Sequence, residues 1–362
     1  MKYIADYIVV GTGLTGSVIA RLLKDAGKDV LMLEKREHVG GNVHDQKHES
    51  GVLMHTYGPH YFRTHSNRIW EFVNRFSNFY SFKAIIKAKV TSGLENWPIA
   101  ANYIQKHVGE HWEPEFTGTP LNFEQAALSL MPRKVYELFI KEYNEKQWGV
   151  KATELSADLC KRFNVRADNN PYLTPGHAFQ GLPLQGYHQL MLNMIHGIPY
   201  QLDVDFLKNR DKVQARKLLI YTGPIDAFFD YEFGRLAYRG QRRETVFHEN
   251  QKLAQPCVQV NTPMHIDGSQ IRRIEWKHLQ NPSSPNTTKG TLITTETPFS
   301  PDNPDQFEYP FPDSPNQTLF RRYHMAYKKL NNIMICGRLG EYRYYDMDQV
   351  IARAIYLAEK LL

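Results

Sequence analysis

The run Gly11-Thr12-Gly13-Leu14-Thr15-Gly16, followed by an acid at Glu34, has the residue types and spacing to cradle a pyrophosphate and hold a ribose. Gly11 permits a tight turn. Gly13 lets the backbone approach phosphate, and Gly16 lets the next helix lie close to the preceding strand. The start of that helix adds free N–H groups and a positive dipole end. Glu34, eighteen residues after Gly16, can accept from ribose hydroxyls, and its charge disfavours a 2′-phosphate. Gly11, Gly13, Leu14, Thr15, Gly16 and Glu34 are therefore candidate cofactor-binding residues. A second glycine pair follows in Glu34-Lys35-Arg36-x-x-Val39-Gly40-Gly41-Asn42. It adds Lys35, Gly41 and Asn42 as a further close approach to a long cofactor.

These residues need elements to position them. Tyr7 to Val10 is a short apolar run that reads as a buried strand. Ser17 to Ala26 carries Val18, Leu22, Leu23 and Ala26 at helical spacing, and Gly27 closes that helix. Asp29 to Leu33 reads as the next strand. Further along, 69–76, 123–130 and 134–148 read as helices, and 84–90, 215–222, 256–261, 270–279 and 290–296 as strands. The segment 280–290 is a turn-rich loop, and 297–317, with its six prolines, reads as an ordered loop. Residues 347–362 form a last helix with Val350, Ile351, Ala354, Leu357 and Leu361 on one face.

The chain has 362 residues, room for two or three domains. Its formal charge of +6 is mild, and no basic run of the nucleic-acid-binding kind appears. The doublets Arg242–Arg243, Arg272–Arg273 and Arg321–Arg322 read mostly as solvated surface. The three cysteines, Cys160, Cys257 and Cys336, have no metal-binding spacing and suggest a reducing, cytoplasmic setting. No segment is long and apolar enough to read as a membrane span. The segment from Glu34 to Asn42 resembles FAD proteins of the glutathione-reductase type. The expected fold class is α/β: a Rossmann-like FAD-binding domain with a helical domain and an antiparallel sheet domain. The expected boundaries are 1–66 plus 180–226 plus 330–362 for FAD, 100–160 for the helices, and 67–99 plus 161–179 plus 227–329 for sheet and substrate.

Later blocks carry a more specific resemblance. They are His55-Thr-Tyr57-Gly58-Pro59-His60-Tyr-Phe62, Tyr143-Asn-Glu145-Lys146-Gln147-Trp148-Gly149, Lys161 to Arg166, Gln180 to Tyr187, Tyr221 to Asp226, Arg272 to His278, and Gly337 to Met347. In order and spacing the chain resembles the UDP-galactopyranose mutase family along nearly its whole length. The resemblance implies an isomerase that interconverts the pyranose and furanose forms of a nucleotide-sugar. It implies FAD, active when reduced: flavin N5 attacks the anomeric carbon, the nucleotide diphosphate leaves, and the opened sugar recloses through O4 with no net redox change. An external reductant, NAD(P)H or another, must reduce the flavin.

The same resemblance assigns residues. Arg166 and Arg272 match the two diphosphate-gripping arginines, a role suited to a planar, permanently charged group. His60 and Arg338 match groups at the flavin, with Gly223 and Met347 in the cofactor-binding blocks. Tyr143, Trp148, Phe139, Phe179, Asn261, Tyr309, Tyr344 and Asp346 match the substrate pocket, Asp346 also bordering the cofactor. Arg63 stands where the family commonly has a second histidine, and could receive a different sugar substituent, such as an acetamido carbonyl. Phe179 replaces a tyrosine, Ala84 falls where an asparagine is usual, and Thr297 replaces the tyrosine before Pro298. These departures leave the sugar open among UDP-galactose, UDP-N-acetylgalactosamine and dTDP-fucose. The segment between Tyr103 and Phe123, which helps bacterial members dimerise, is shorter here, so a homodimer stays open. Two other readings compete: a flavin-dependent oxidoreductase of the amine-oxidase type, and a non-catalytic nucleotide-sugar or flavin-binding protein.

Overall fold

The computed structural model describes residues 2–109, 111–163, 165–281, 283 and 287–362. Part of the expected 280–290 loop, and Asn164 within the Lys161–Arg166 block, lie outside the described residues.

Strand Tyr3–Val10 buries Ile8 and Val9 completely, as the centre of a parallel sheet covered on both faces requires. It pairs in parallel with Val30–Leu33 on one side and Val213–Tyr221 on the other. Tyr200–Gln201 and Ile333–Ile335 complete five parallel strands. The first helix, Leu14–Asp25, and the last, Met347–Glu359, share one buried cluster, in which Val18, Ile19 and Leu23 join Ile351, Ala354 and Ala358. Asp346 and Gln349 close a reciprocal capping box at the start of the last helix.

A second sheet has seven strands. Their order is Tyr309–Pro310, Tyr238–His248, Thr291–Phe299, Arg272–Glu275, Gln259–Asn261, Ile86–Val90 and Gly93–Trp97. Every pairing is antiparallel except Gln259–Asn261 with Ile86–Val90. A helical region, Ala101–His107, Phe123–Leu128 and the continuous run from Arg133 to Trp148, packs against it, with Tyr136–Lys141 wound as a π-helix. Among the described residues no helix is long and apolar enough to cross a membrane.

Three sequence expectations need correction. The 11-residue strand Tyr238–His248 does not figure among the expected strands, because its polar run Gly240-Gln241-Arg242-Arg243-Glu244 hides the alternation. The expected strand over 270–279 keeps only Arg272–Glu275 and turns into a 3-10 helix at Trp276–Leu279. The expected loop over 297–317 is shorter than its six prolines suggest. Strand Thr291–Phe299 runs through Pro298, and a helix begins at Ser314, where Asp313 accepts from the Asn316 N–H at 2.8 Å and Pro315 sits in the first turn.

Candidate active site

Between the first strand and first helix, two glycine-containing loops meet. Gly11 has φ +102°, and a Cβ there would lie 2.2 Å from Thr222 Oγ1. A Cβ on Gly16 would lie 2.0 Å from Gly11 O, and one on Gly41 2.9 Å from Gly13 Cα. Gly13 caps the helix without a side-chain hydrogen bond, so the helix start offers its N–H groups outward. Glu34 is buried, with Oε2 accepting from the Thr12 N–H at 2.8 Å and the Thr12 hydroxyl at 2.7 Å. This narrow backbone cradle, ending in a buried carboxylate, fits the pyrophosphate and ribose of a dinucleotide.

Other cofactor candidates surround the cradle. Leu14 and Thr15 open the helix, and Gly337, with φ +86°, approaches Thr15. The Gly223 carbonyl lies 3.4 Å from the Cβ position of Gly340. The Asn42 amide oxygen accepts from Arg36 Nη1 at 3.0 Å. Lys35 points to solvent and pairs with Asp305 at 2.6 Å. Met347 is the first residue of the last helix, directly after the capping Asp346.

The second sheet contributes a row of charges. In register across three neighbouring strands stand Arg243, Glu296 and Arg272. Arg243 Nε donates to Glu296 Oε1 at 2.9 Å, and Arg272 Nε to Glu296 Oε2. Glu308 takes Arg243 Nη1 at 2.7 Å and Nη2 at 3.0 Å. Burial is the strongest single influence and opposes charge on both arginines, yet Glu296 together with the neighbouring acidic groups, Glu308 at Arg243 and Tyr309 at both, outweighs it and holds each guanidinium above its ordinary pKa. Burial would raise Glu296, but Arg272 and Arg243 reverse that and keep it below the usual range. At Glu308 burial wins, and its pKa lies above the usual range despite Arg243.

The turn His55–His60 lies on this row. Gly58 has φ +88°, and a Cβ there would come within 2.7 Å of Glu296 Oε1 and 3.6 Å of Arg272 Nη2. His60 Nδ1 lies 2.8 Å from the Gly58 carbonyl, which can only accept, so Nδ1 carries the proton and Nε2 is left as an acceptor. Burial pushes His60 down to about 4, so it is neutral at physiological pH. Arg338 lies over the rings of Tyr309 and Tyr344, at 5.8 and 5.3 Å, and these two rings stack at 6.0 Å. Its terminal nitrogens donate to the carbonyls of Glu308 and Tyr345, both at 3.0 Å. The Tyr344 hydroxyl donates to Asp346 Oδ1 at 3.1 Å, and Arg63 Nη2 reaches Asp346 Oδ2 at 3.0 Å.

The structure thus brings His60, Arg63, Arg272, Tyr309, Arg338, Tyr344 and Asp346 into one linked site. Tyr143 lies close enough to Arg272 to influence its charge, with its ring 5.0 Å from Trp97. Asn261 faces Arg272 in register but is buried, accepting from Gln259 at 2.8 Å.

Four expected residues stand apart from these contacts. Phe139 is fully buried edge-on to Tyr103, and Trp148 packs edge-on to Phe311, so both fill the core of the helical region. Phe179 stacks on Trp70 at 5.2 Å. Arg166 turns back on its own loop, where Nη2 donates to the carbonyls of Tyr172 and Leu173 at 2.8 and 3.2 Å. No described contact joins it to Arg272.

Sequence reasoning missed Arg243, Glu296 and Glu308 as members of the site. Arg243 reads as half of a solvated doublet, yet Arg242 lies over Phe299 while Arg243 turns inward to its carboxylates. The signal was the period-two alternation of a strand, one charge out and the next in.

The UDP-galactopyranose mutase family model matches residues 138–344, and an NAD(P)-binding Rossmann-like domain matches residues 9–76. The chain is 31% identical to a probable UDP-galactopyranose mutase of Klebsiella pneumoniae, over 99% of this chain and 94% of that protein. It is also 31% identical to a dTDP-fucopyranose mutase of Escherichia coli, over 97% of each. The fold is similar to that of reduced UDP-galactopyranose mutase, with a TM-score of 0.75 at 14% identity over 99% of this chain and 93% of that one. With a family model over more than half of its length and relatives aligned nearly end to end, the chain that carries this cradle and arginine row belongs to the UDP-galactopyranose mutase family.

Proposed function

We propose that this protein is an FAD-dependent mutase that interconverts the pyranose and furanose forms of a nucleotide-sugar. The observation that carries this reading is Arg272: a buried guanidinium anchored through Nε by Glu296, beside the Gly58–His60 turn and electrostatically close to Tyr309. Anchoring one edge orients the terminal nitrogens for paired hydrogen bonds to a diphosphate. Bound and reduced, FAD supplies the nucleophile for the anomeric carbon. The chain's own residues do the rest. Arg272 and Tyr309 receive the departing diphosphate. Neutral His60 offers an acceptor without adding charge, and Arg338 favours electron density on a neighbouring ring system. Arg166 is the second cation of this reading, held by its loop carbonyls until a diphosphate competes for it. The 1–66, 180–226 and 330–362 segments serve as the cofactor unit, and NAD(P)H or another external reductant supplies the electrons.

UDP-galactose is the first substrate to consider. UDP-N-acetylgalactosamine and dTDP-fucose follow, because Arg63 places a cation at the Asp346 side of the site. The test is anaerobic incubation of the dithionite-reduced protein with these three sugar nucleotides, with chromatographic separation of furanose from pyranose. Furanose from one or more of them, and none with the oxidised protein, is the expected result. A colourless protein that takes up no FAD, or no furanose from any of the three, refutes the proposal; peroxide release on substrate oxidation supports an oxidase instead. Arg63→His is expected to shift preference away from the acetamido sugar, and unchanged preference sinks that role for Arg63.

A further inference from the structure

The row of charges contains more than a phosphate grip requires. Arg243 engages all three of its nitrogens: Nε on Glu296, and both terminal nitrogens on Glu308. With those contacts made it is poorly placed to serve a ligand. Arg272, by contrast, gives Nε to Glu296, and among the described residues its terminal nitrogens have no hydrogen-bond partner. Glu296 stands between the two, one oxygen for each, with no exposed surface. Its place therefore depends on how strongly each neighbour pulls, and Glu308 sets the pull of Arg243. Glu308 also lies directly before Tyr309, and its carbonyl accepts from Arg338.

We propose that Glu308 is a positioning residue: by holding Arg243 it fixes Glu296, and through Glu296 it sets the orientation of Arg272. The inference rests on the mutase reading for its functional meaning, though the coupling itself is a property of the charge row. Two arginines and two carboxylates balance. Neutralising Glu308 leaves Glu296 facing two guanidinium groups alone. Glu296 is then drawn toward Arg243, and Arg272 is released at Nε. Its charge stays near the diphosphate while its orientation is lost, which harms the transition state more than ground-state binding.

The experiment is a double-mutant cycle on the FAD-loaded, reduced enzyme: wild type, Glu308→Gln, Arg272→Lys and both together. Glu308→Gln alone is expected to lower kcat about tenfold with KM changed less than about threefold, at unchanged flavin content. In the Arg272→Lys background the same substitution is expected to change kcat less than about threefold, since its route of action is already gone. A full tenfold loss in both backgrounds, or no loss in either, overturns the proposal. Where Glu308→Gln does not retain flavin, Glu308→Asp, which keeps the charge but shortens its reach to Arg243, replaces it, and the same non-additivity with Arg272→Lys decides the matter. Should the wild-type protein turn over no nucleotide-sugar, the mutase reading fails on its own. The coupling is then read from UDP affinity by calorimetry across the same four proteins, where additive effects, or none, overturn it.

Discussion

Replacing Gly58 with alanine tests the packing of the turn onto the charge row. Two effects add. At φ +88° a side chain strains the backbone by about 1–2 kcal/mol. The new methyl would also sit 2.7 Å from Glu296 Oε1, inside normal contact. Glu296 cannot simply swing aside, because it is fully buried and both oxygens hold an arginine. Displacing it by several tenths of an ångström weakens a charge-assisted hydrogen bond worth about 1.5–3 kcal/mol. The sum is about 3 kcal/mol. Gly27→Ala is the control: φ there is +72°, but no atom lies within 4 Å of the added methyl, so it carries the backbone strain alone. Urea unfolding of both variants, compared with the parent, should place Gly58→Ala about 2 kcal/mol below Gly27→Ala. UDP affinity should fall in Gly58→Ala and stay unchanged in Gly27→Ala. Equal losses in the two variants would show that Glu296 moves freely, and the rigid charge row would be wrong.

Other expectations follow from the same contacts. Gly11→Ala drives a methyl to 2.2 Å from Thr222 Oγ1, so the purified variant should lose the flavin absorbance of the parent. Lys146→Met removes an ammonium that donates to the carbonyls of Thr262, Met264 and Gln270; it should cost about 2–4 kcal/mol in urea unfolding and loosen the loop ahead of Arg272. Burial pushes His44 and His60 down to about 4, so between about pH 6.5 and pH 4 the unfolded chain takes up protons that the native state refuses. Stability should therefore fall as pH drops through that window, and His44→Gln should flatten the slope of the urea midpoint against pH. Arg63→Ala breaks a partly exposed pair with Asp346 and should change stability by less than about 1 kcal/mol, so any large effect on turnover belongs to the site.

The cofactor cradle was legible in the sequence because its parts are local. Strand, glycine turn, helix and acid lie within thirty-two residues, from Tyr3 to Glu34, and each residue type has its own steric or hydrogen-bonding reason. The order of the blocks also carried the family. The arginine row was less legible, because Arg243 and Arg272 meet Glu296 only through sheet pairing. An Arg-Arg doublet on a strand is ambiguous until one knows which face is buried. Arg272 was singled out by its block, while Arg243, in a strand that polarity disguised, was not. Phe139 and Trp148 show the reverse case: the family resemblance marked them for the pocket, while the fold buries both among the side chains of the helical region. Arg166 depends on a loop whose own carbonyls compete for it, which no spacing pattern reveals.

Key neighbours of the first strand and first helix arrive late during synthesis. Strand Val213–Tyr221 emerges some two hundred residues after Tyr3–Val10, and helix Met347–Glu359 more than three hundred after Leu14–Asp25. A ribosome that has released the glycine turn has therefore not yet made the surface that Val18, Ile19 and Leu23 must cover. The nascent chain carries an uncovered apolar face for most of translation, when aggregation threatens and chaperones bind. Removing the last helix would make that temporary exposure permanent, far in sequence from the turn it disables.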